Sequence, residues 1–212
     1  MTTAPPSVPY RQIRAHYNDA TITVYQAYKQ SIAKAAVETQ KLNASPDFKP
    51  GRMTWIKPSW AWMMYRAGYS FKDPGQSRIL ALRMKHEHFI NLLERGVLSS
   101  HAQRHNPEEK REKSSDVRIQ WDPERTPKLE VLPYRSIQIG IPGVLSEQWA
   151  NEWIAEIEDV TDKARELKRM INERPDITSE ELMALGLVFE ERLYDVPESV
   201  HTKLEMTLVT TP

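Results

Sequence analysis

The densest run of chemically capable side chains is RMTWIKPSWAWMMYR, from Arg52 to Arg66, where three Trp, one Tyr, three Met and three cations fall within fifteen residues. Strand alternation puts Met53, Trp55 and Lys57 on one face, with Thr54 and Ile56 on the other. A lysine at a strand end, followed by a serine at a helix start, suits a phosphate: Lys57 supplies charge, while Ser59 and the first helical amides supply donors. Arg66, about two turns into that helix, adds a second cation or pairs with the acidic end of the chain. The same residues would equally make a Trp-rich core rimmed by cations whose stems lie on apolar surface.

Three further groups could do chemistry. Arg11, Arg14, His16 and Tyr17 lead into Tyr25, Gln26 and Tyr28. Such rings stack on a base while arginine holds phosphate and an amide reads an edge; the alternative is an ordinary strand whose tyrosines bury their rings and expose their hydroxyls. In LPYRSIQIG, Tyr134, Ser136 and Gln138 share one strand face and Arg135 takes the other. Either the polar set lines a site or Arg135 anchors an anion, and one register excludes the other. His86 and His88 flank Glu87 at a helix start, and His101 and His105 are spaced i, i+4. The latter pair lacks the glutamate of HExxH and lies in a polar stretch, so no metal is expected.

Other chemistries are excluded by what is missing. The chain has no cysteine, which removes disulfides, thiolate nucleophiles and thiolate metal sites. It contains no GxSxG, GxGxxG or GxxxxGK[ST], and with only seven glycines it is poor in loops that cradle phosphate. Lys57 is followed by Pro-Ser-Trp rather than the setting KxDG, so a lysine–nucleotide adduct is not expected.

The elements that must position these residues alternate. Arg11 to Ala20 reads as a short helix or turn, Thr21 to Tyr28 as a strand, and Lys29 to Leu42 as a helix with Ile32, Ala33, Ala36 and Val37 on one face. NASPDFKPG breaks it. Arg52 to Lys57 is a second strand, and Ser59 caps a helix that Gly68 ends. Ser77 to Lys85 is a third strand, and His86 to Arg95 a helix closed by Gly96. Residues 99–115 are strongly polar and read as an exposed loop. Val117 to Trp121 and Tyr134 to Ile141 are strands flanking the link DPERTPKLEVLP. From Ser146 to Asn172, apolar residues recur at Trp149, Trp153, Ile157, Val160, Ala164, Leu167 and Ile171, which predicts one long amphipathic helix over the sheet. Thr178 and Glu181 form a capping box for a short helix around Leu182 to Leu185, with Gly186 as its stop. The expected fold is α+β, a single domain with one mixed sheet of about five strands. Residues 1–10 form a tail and 144–212 an acidic helical part.

With 212 residues, 40% of them hydrophobic, the chain can build a core. No apolar run approaches the roughly 20 residues of a membrane span, and MTTAPPSVPY has neither the basic start nor the apolar stretch of a signal peptide. A cytoplasmic protein with no membrane partner is expected. The formal net charge is zero, yet residues 1–143 carry 22 Lys and Arg against 13 Asp and Glu, a surplus of nine positive charges, and residues 144–212 carry 7 against 16, a surplus of nine negative. Such a chain either holds its basic part against its acidic end or presents it to an anion.

The runs IRAHYNDATITVYQAYKQSIAKAAV, FKPGRMTWIKPSWAWMMYRAGY and LPYRSIQIGI resemble the family catalogued as domain of unknown function 4291. The resemblance covers nearly the whole chain and implies that the family's shared motifs fall on Arg14, Tyr17, Tyr25, Gln26, Trp55, Lys57, Ser59, Trp60, Arg66, Arg135 and Gln138; it implies no activity. The order of elements also looks like the small mixed-sheet core of ADP-ribosyltransferases, which would make the protein an NAD-using transferase. Gln26 stands where that family would place Arg or His, and no late strand offers a clear catalytic glutamate, Glu130 being only a candidate. The reading is therefore a basic, aromatic-lined cleft for a phosphate-bearing ligand, a nucleotide above all, with NAD as one cofactor. Lys57, Gln26 and Arg135 are the catalytic candidates. Arg14, Tyr17, Tyr25, Tyr28, Trp55, Ser59, Arg66 and Gln138 are the binding candidates. The alternatives are a non-catalytic RNA or nucleotide-binding module and a structural or interaction protein, with the long helix compatible with a homodimer.

Overall fold

A computed structural model describes residues 8–99 and 116–207. The N-terminal residues 1–7, and 100–115 with His101 and His105, lie outside the described residues. The strands are β1 (Arg14–Ala15), β2 (Thr21–Tyr28), β3 (Thr54–Ile56), β4 (Arg78–Lys85), β5 (Gly96–Leu98), β6 (Val117–Arg125), β7 (Val131–Ile141), β8 (Ile154–Asp159) and β9 (Arg192–Leu193). The helices are α1 (Gln30–Thr39), α2 (Trp60–Ala67), α3 (His86–Glu94), α4 (Ser146–Gln148), α5 (Thr161–Glu173), α6 (Ser179–Ala184) and α7 (Glu198–Lys203). The mixed α+β character is as expected. The single five-stranded sheet is not: the described strands form three small sheets, β2-β4-β8, β3-β7-β6-β5 and β1-β9.

The reason lies where β2 meets β3. β2 pairs antiparallel with β4 along its whole length, from Thr21 opposite Lys85 to Tyr28 opposite Arg78. Its other edge makes one bridge to the residue after β3, with Tyr25 N–H donating to the Lys57 carbonyl at 2.6 Å and Lys57 N–H to the Tyr25 carbonyl at 3.2 Å. Before Tyr25 that edge is already taken, because Thr23 N–H donates to the His16 carbonyl at 2.9 Å, and Pro58 leads straight into α2. In the other direction β3 turns away to pair with β7, Trp55 opposite Gly140. The two larger sheets therefore share a single point and diverge from it.

Alternation decides what each sheet buries. Ile22 and Val24 of β2, Leu80, Leu82 and Met84 of β4, and Ile137, Ile139 and Ile141 of β7 meet in one core with Phe89, Trp149 and Trp153. The opposite face of β2 and β4 presents Tyr25, Ile79 and Ala81 to a second cluster under α2 and α5, built from Trp60, Met63, Met64, Ala164 and Leu167. α2 begins and ends as its sequence requires: Ser59 Oγ accepts from Trp62 N–H at 3.1 Å, and Gly68 closes the helix in the left-handed region at φ 56°.

Several other expectations are corrected. The long helix from Ser146 to Asn172 is broken into α4, a π-helical turn over Trp149–Trp153, strand β8 and helix α5. Trp149, Trp153 and Ile157 are buried as expected, but Ile157 is buried as a strand residue, because the open edge of β4 recruits IAEIED and pairs its acids with the arginines of β4. Arg83 binds Glu156 and Glu158, and Arg78 binds Asp159 at 2.6 Å. Asp159 then stops the strand and starts α5, its Oδ1 accepting from Thr161 N–H at 2.9 Å. Of the two readings of Arg11 to Ala20, a short helix or a turn, the structure has the turn, closed by the Asn18 side chain, and adds the short strand β1 before it. Gly96 opens β5 instead of merely closing α3. The link after Trp121 is mostly strand, since β6 runs to Arg125 and β7 starts at Val131, joined by a five-residue turn. The capping box at Thr178 and Glu181 is present, and α7 follows that helix.

Asp159 thus serves a strand end and a helix start at once. Asp159→Ala should lower unfolding stability by about 2 kcal/mol, read as a lower urea midpoint at unchanged slope.

Candidate functional site

The divergence of the two sheets leaves a cleft of about 670 Å³. The end of β2 contributes Gln26 and Tyr28, and β3 with its flanks contributes Met53, Thr54, Trp55 and Lys57. α2 adds Met63 and Arg66, and the β6–β7 face adds Gln120 and Gln138. The predicted face of Met53, Trp55 and Lys57 therefore does look into one space. Six of the expected site residues line it: Gln26, Tyr28, Trp55, Lys57, Arg66 and Gln138.

Lys57 dominates its electrostatics. The side chain is nine-tenths or more buried, with the residue only 5% exposed, and its Nζ sits 4.9 Å from the centre of the Trp62 ring. Among the described residues no carboxylate lies within ion-pairing distance of it. Burial, reinforced by the positive charge of Arg66 and partly opposed by Asp122, pulls its pKa down to about 7. Lys49, Arg52 and Arg66 line the same space and are likewise without a carboxylate within ion-pairing distance among the described residues, whereas Lys29 binds Asp47 at 2.8 Å. The acidic half of the chain meets other cations: Glu156 and Glu158 hold Arg83, Asp159 holds Arg78, and Glu205 holds Arg11. The reading in which the basic part is held against the acidic end thus describes part of the molecule.

The aromatic wall is set by close backbone approach. A Cβ on Gly140 would lie 2.9 Å from the Trp55 ring, so the absence of a side chain there is what lets that ring lie across β7. The loop carrying Lys49 and Arg52 is tied down at Gly51, whose N–H donates to Ser146 Oγ at 2.9 Å. Where the β2–β3 ladder stops, a side-chain contact takes over: the Gln26 amide donates to Thr54 Oγ1, and Tyr28 OH donates to Gln26 Oε1 at 2.7 Å.

The other expected residues sit elsewhere. Tyr25 is fully buried against Trp60 and Phe189, with its hydroxyl unpartnered. Ser59 caps α2 and donates to Glu124 at 2.8 Å. Tyr17 pins the C-terminal part, donating to the Leu193 carbonyl at 2.8 Å and packing edge-on to Tyr194. Arg135 takes the face opposite Gln138 and binds Tyr10 OH at 2.7 Å, so of the two registers the structure has the one that turns Gln138 to the cleft. Arg14 lies 4.4 Å over the Tyr134 ring, its Nη1 buried without a hydrogen-bond partner. His86 bonds Tyr194 OH and the Asn18 carbonyl.

Sequence reasoning missed a polar stripe on β6. Gln138 donates to Gln120 at 3.4 Å and Gln120 to Asp122 Oδ1 at 3.0 Å, while Asp122 Oδ2 is buried without a partner. Shielding from water raises the Asp122 pKa. Farther along, Glu124 is buried at a ladder irregularity, and Glu191 accepts from Trp60 N–H at 2.6 Å. Desolvation and mutual repulsion push Glu191 well above the usual carboxylate range, and desolvation raises Glu124. The alternation of Gln120, Asp122 and Glu124 would have exposed the stripe, but Pro123 made the segment read as a link; nothing in the sequence marks Glu191.

The lowered Lys57 pKa fixes a pH dependence. Below about pH 7 both folded and unfolded states carry the charge, and the folded state bears the full desolvation cost. Above it the folded state sheds the proton first, so stability rises until the ordinary value of 10.5 is passed. Lys57→Met should therefore stabilise the protein by about 4 kcal/mol near pH 6, a gain that shrinks toward zero by roughly pH 10 in urea unfolding. On the aromatic wall, Gly140→Val should displace Trp55 and shift the protein's tryptophan fluorescence without unfolding it.

Among curated proteins the chain finds no match. Residues 12–194, which include every residue of the cleft described above, match the family described as Domain of unknown function (DUF4291). The match spans most of the chain, and the protein belongs to that family.

Proposed function

We propose that the cleft binds a phosphate-bearing small molecule, with a nucleotide as the best fit. The observation that carries this reading is Lys57, a buried ammonium with no carboxylate partner among the described residues, opening onto the same space as Arg66, Arg52 and Lys49. Holding an uncompensated charge out of water is costly, and an anionic ligand is what would offset it. The size of the cleft, about 670 Å³, falls in the range of small-molecule sites. Trp55, Phe48 and Tyr28 offer rings to a base, and Gln120 and Gln138 offer amides to its edge or to a ribose.

NAD fits this description, and use of NAD by a transferase similar to ADP-ribosyltransferases is the finer form of the reading. In that form Asp122, whose charge acts on Lys57, replaces Glu130 as the candidate acid, because Glu130 lies in the β6–β7 turn with Thr126. RNA is the second reading: the exposed cations Arg52 and Arg66 at the cleft would follow a strand's backbone, and affinity would then fall steeply with salt.

A thermal-shift series with ADP, NAD, AMP, adenosine and a short RNA separates these readings. ADP and NAD should raise the melting temperature and adenosine should not. Arg66→Ala should weaken ADP binding about tenfold, and Lys57→Ala at least as much. No shift with any phosphate-bearing ligand would overturn the reading in favour of an interaction protein.

A further inference from the structure

Resting on the anion-binding reading of the cleft, we propose that Lys57 is a nucleophile that forms an imine with an aldehyde or ketone carbonyl of the phosphate-bearing ligand. The substrate class is then a phosphorylated carbonyl compound, such as a sugar phosphate in its open-chain form.

Four observations converge on this. Lys57 lines the cleft, and its Nζ makes no hydrogen bond or ion pair among the described residues, so its lone pair, once free of a proton, is not engaged elsewhere. The Trp62 ring, 4.9 Å from Nζ, holds the otherwise mobile side chain in place. Arg66, Arg52 and Lys49 line the same space, so cations remain for the phosphate when the Lys57 amine turns to the carbonyl. Asp122 has a buried Oδ2 without a hydrogen-bond partner among the described residues, and its charge acts on Lys57. The charged groups acting on the lysine are thus Arg66 on α2 and Asp122 on β6, and both belong to the cleft's surroundings. Burial leaves the amine titrating at about 7, so about half is neutral at pH 7 against well under 1% for an exposed lysine.

The chemistry balances without a redox partner. The neutral Nζ attacks the carbonyl carbon, and the carbonyl π pair moves to oxygen, which takes a proton from the Asp122 carboxyl. The nitrogen returns one proton to that carboxylate, giving a carbinolamine. Asp122, protonated again by that transfer, protonates the hydroxyl, which leaves as water as the nitrogen lone pair forms C=N, and the resulting iminium returns its N–H proton to the Asp122 carboxylate. The sum is amine plus carbonyl giving imine plus water.

Borohydride trapping tests the proposal on the full chain. Pyridoxal 5′-phosphate serves as the probe with sodium cyanoborohydride, pyridoxal as the phosphate-free control, and peptide mass spectrometry reads each lysine. Lys57 should be modified about tenfold or more faster than the exposed Lys34. The rate should rise through pH 7, fall with pyridoxal and fall when ADP is added. In Lys57→Arg, which keeps the charge, the fast adduct should disappear, and in Asp122→Asn it should form more slowly while ADP still raises the melting temperature. Modification of Lys57 no faster than Lys34, with ADP still raising the melting temperature, would overturn the imine and leave the anion site standing. Fast modification without phosphate preference or ADP protection would keep the nucleophile and overturn the phosphate ligand. Neither effect would overturn both.

Discussion

A single antiparallel bridge between Tyr25 and Lys57 joins the two larger sheets, and the cleft exists because pairing stops there. Were the ladder to continue, β2 and β3 would lie about 5 Å apart and leave no room for a ligand. On one side the edge of β2 is taken by the His16 carbonyl, which accepts from Thr23 N–H, and on the other the pairing of β3 with β7 pulls the strands apart. The bridge also accounts for the burial of Lys57. Its backbone is fixed to β2 and the next residues enter α2, so the side chain has only the space between the sheets and the Trp62 ring to occupy.

That placement makes charge the organising feature of the site. Elsewhere the arginines of the basic half meet acids from the C-terminal part, and those pairs stitch β8 and the chain end to the rest of the molecule. Exposed pairs of this kind contribute little each, but they occupy the acids. Around the cleft, Lys29 is paired with Asp47, but Lys49, Arg52, Arg66 and the largely buried Lys57 have no ion pair among the described residues. The polar stripe of β6 and β7 adds acceptors and donors on the opposite wall, running from Gln138 and Gln120 to Asp122 and then under α2 to Glu124.

Most of the cleft was legible from one dimension. The alternation of Met53, Trp55 and Lys57, the capping Ser59 and the terminating Gly68 are local rules of strands and helices, and the structure follows them. Gln26 and Tyr28 share the face of Ile22 and Val24 by the same alternation, which carries them from the core to the cleft floor. Three of the five residues that went elsewhere, Tyr17, Arg14 and Arg135, are held by partners distant in sequence: the Leu193 carbonyl, the Tyr134 ring and Tyr10. No local rule anticipates those. The segment from Ser146 failed for a related reason. Its three-to-four spacing is helical in isolation, but an unpaired edge of β4 with arginines at matching positions offers hydrogen bonds and charge pairs that outweigh that preference.

By itself the sequence determined the elements around the cleft, the rings and cations on them, and the family to which they belong, because strand alternation, capping and motif identity depend on neighbours within a few residues. The tertiary structure alone decided that the strands split into separate sheets, that Lys57 is largely buried beside the cleft with no carboxylate in ion-pairing distance among the described residues, and that Asp122 and Glu124 lie beside the site. Those outcomes depend on which strand edges find each other and on how far a charge ends up from solvent and from other charges, and both are properties of three-dimensional distance.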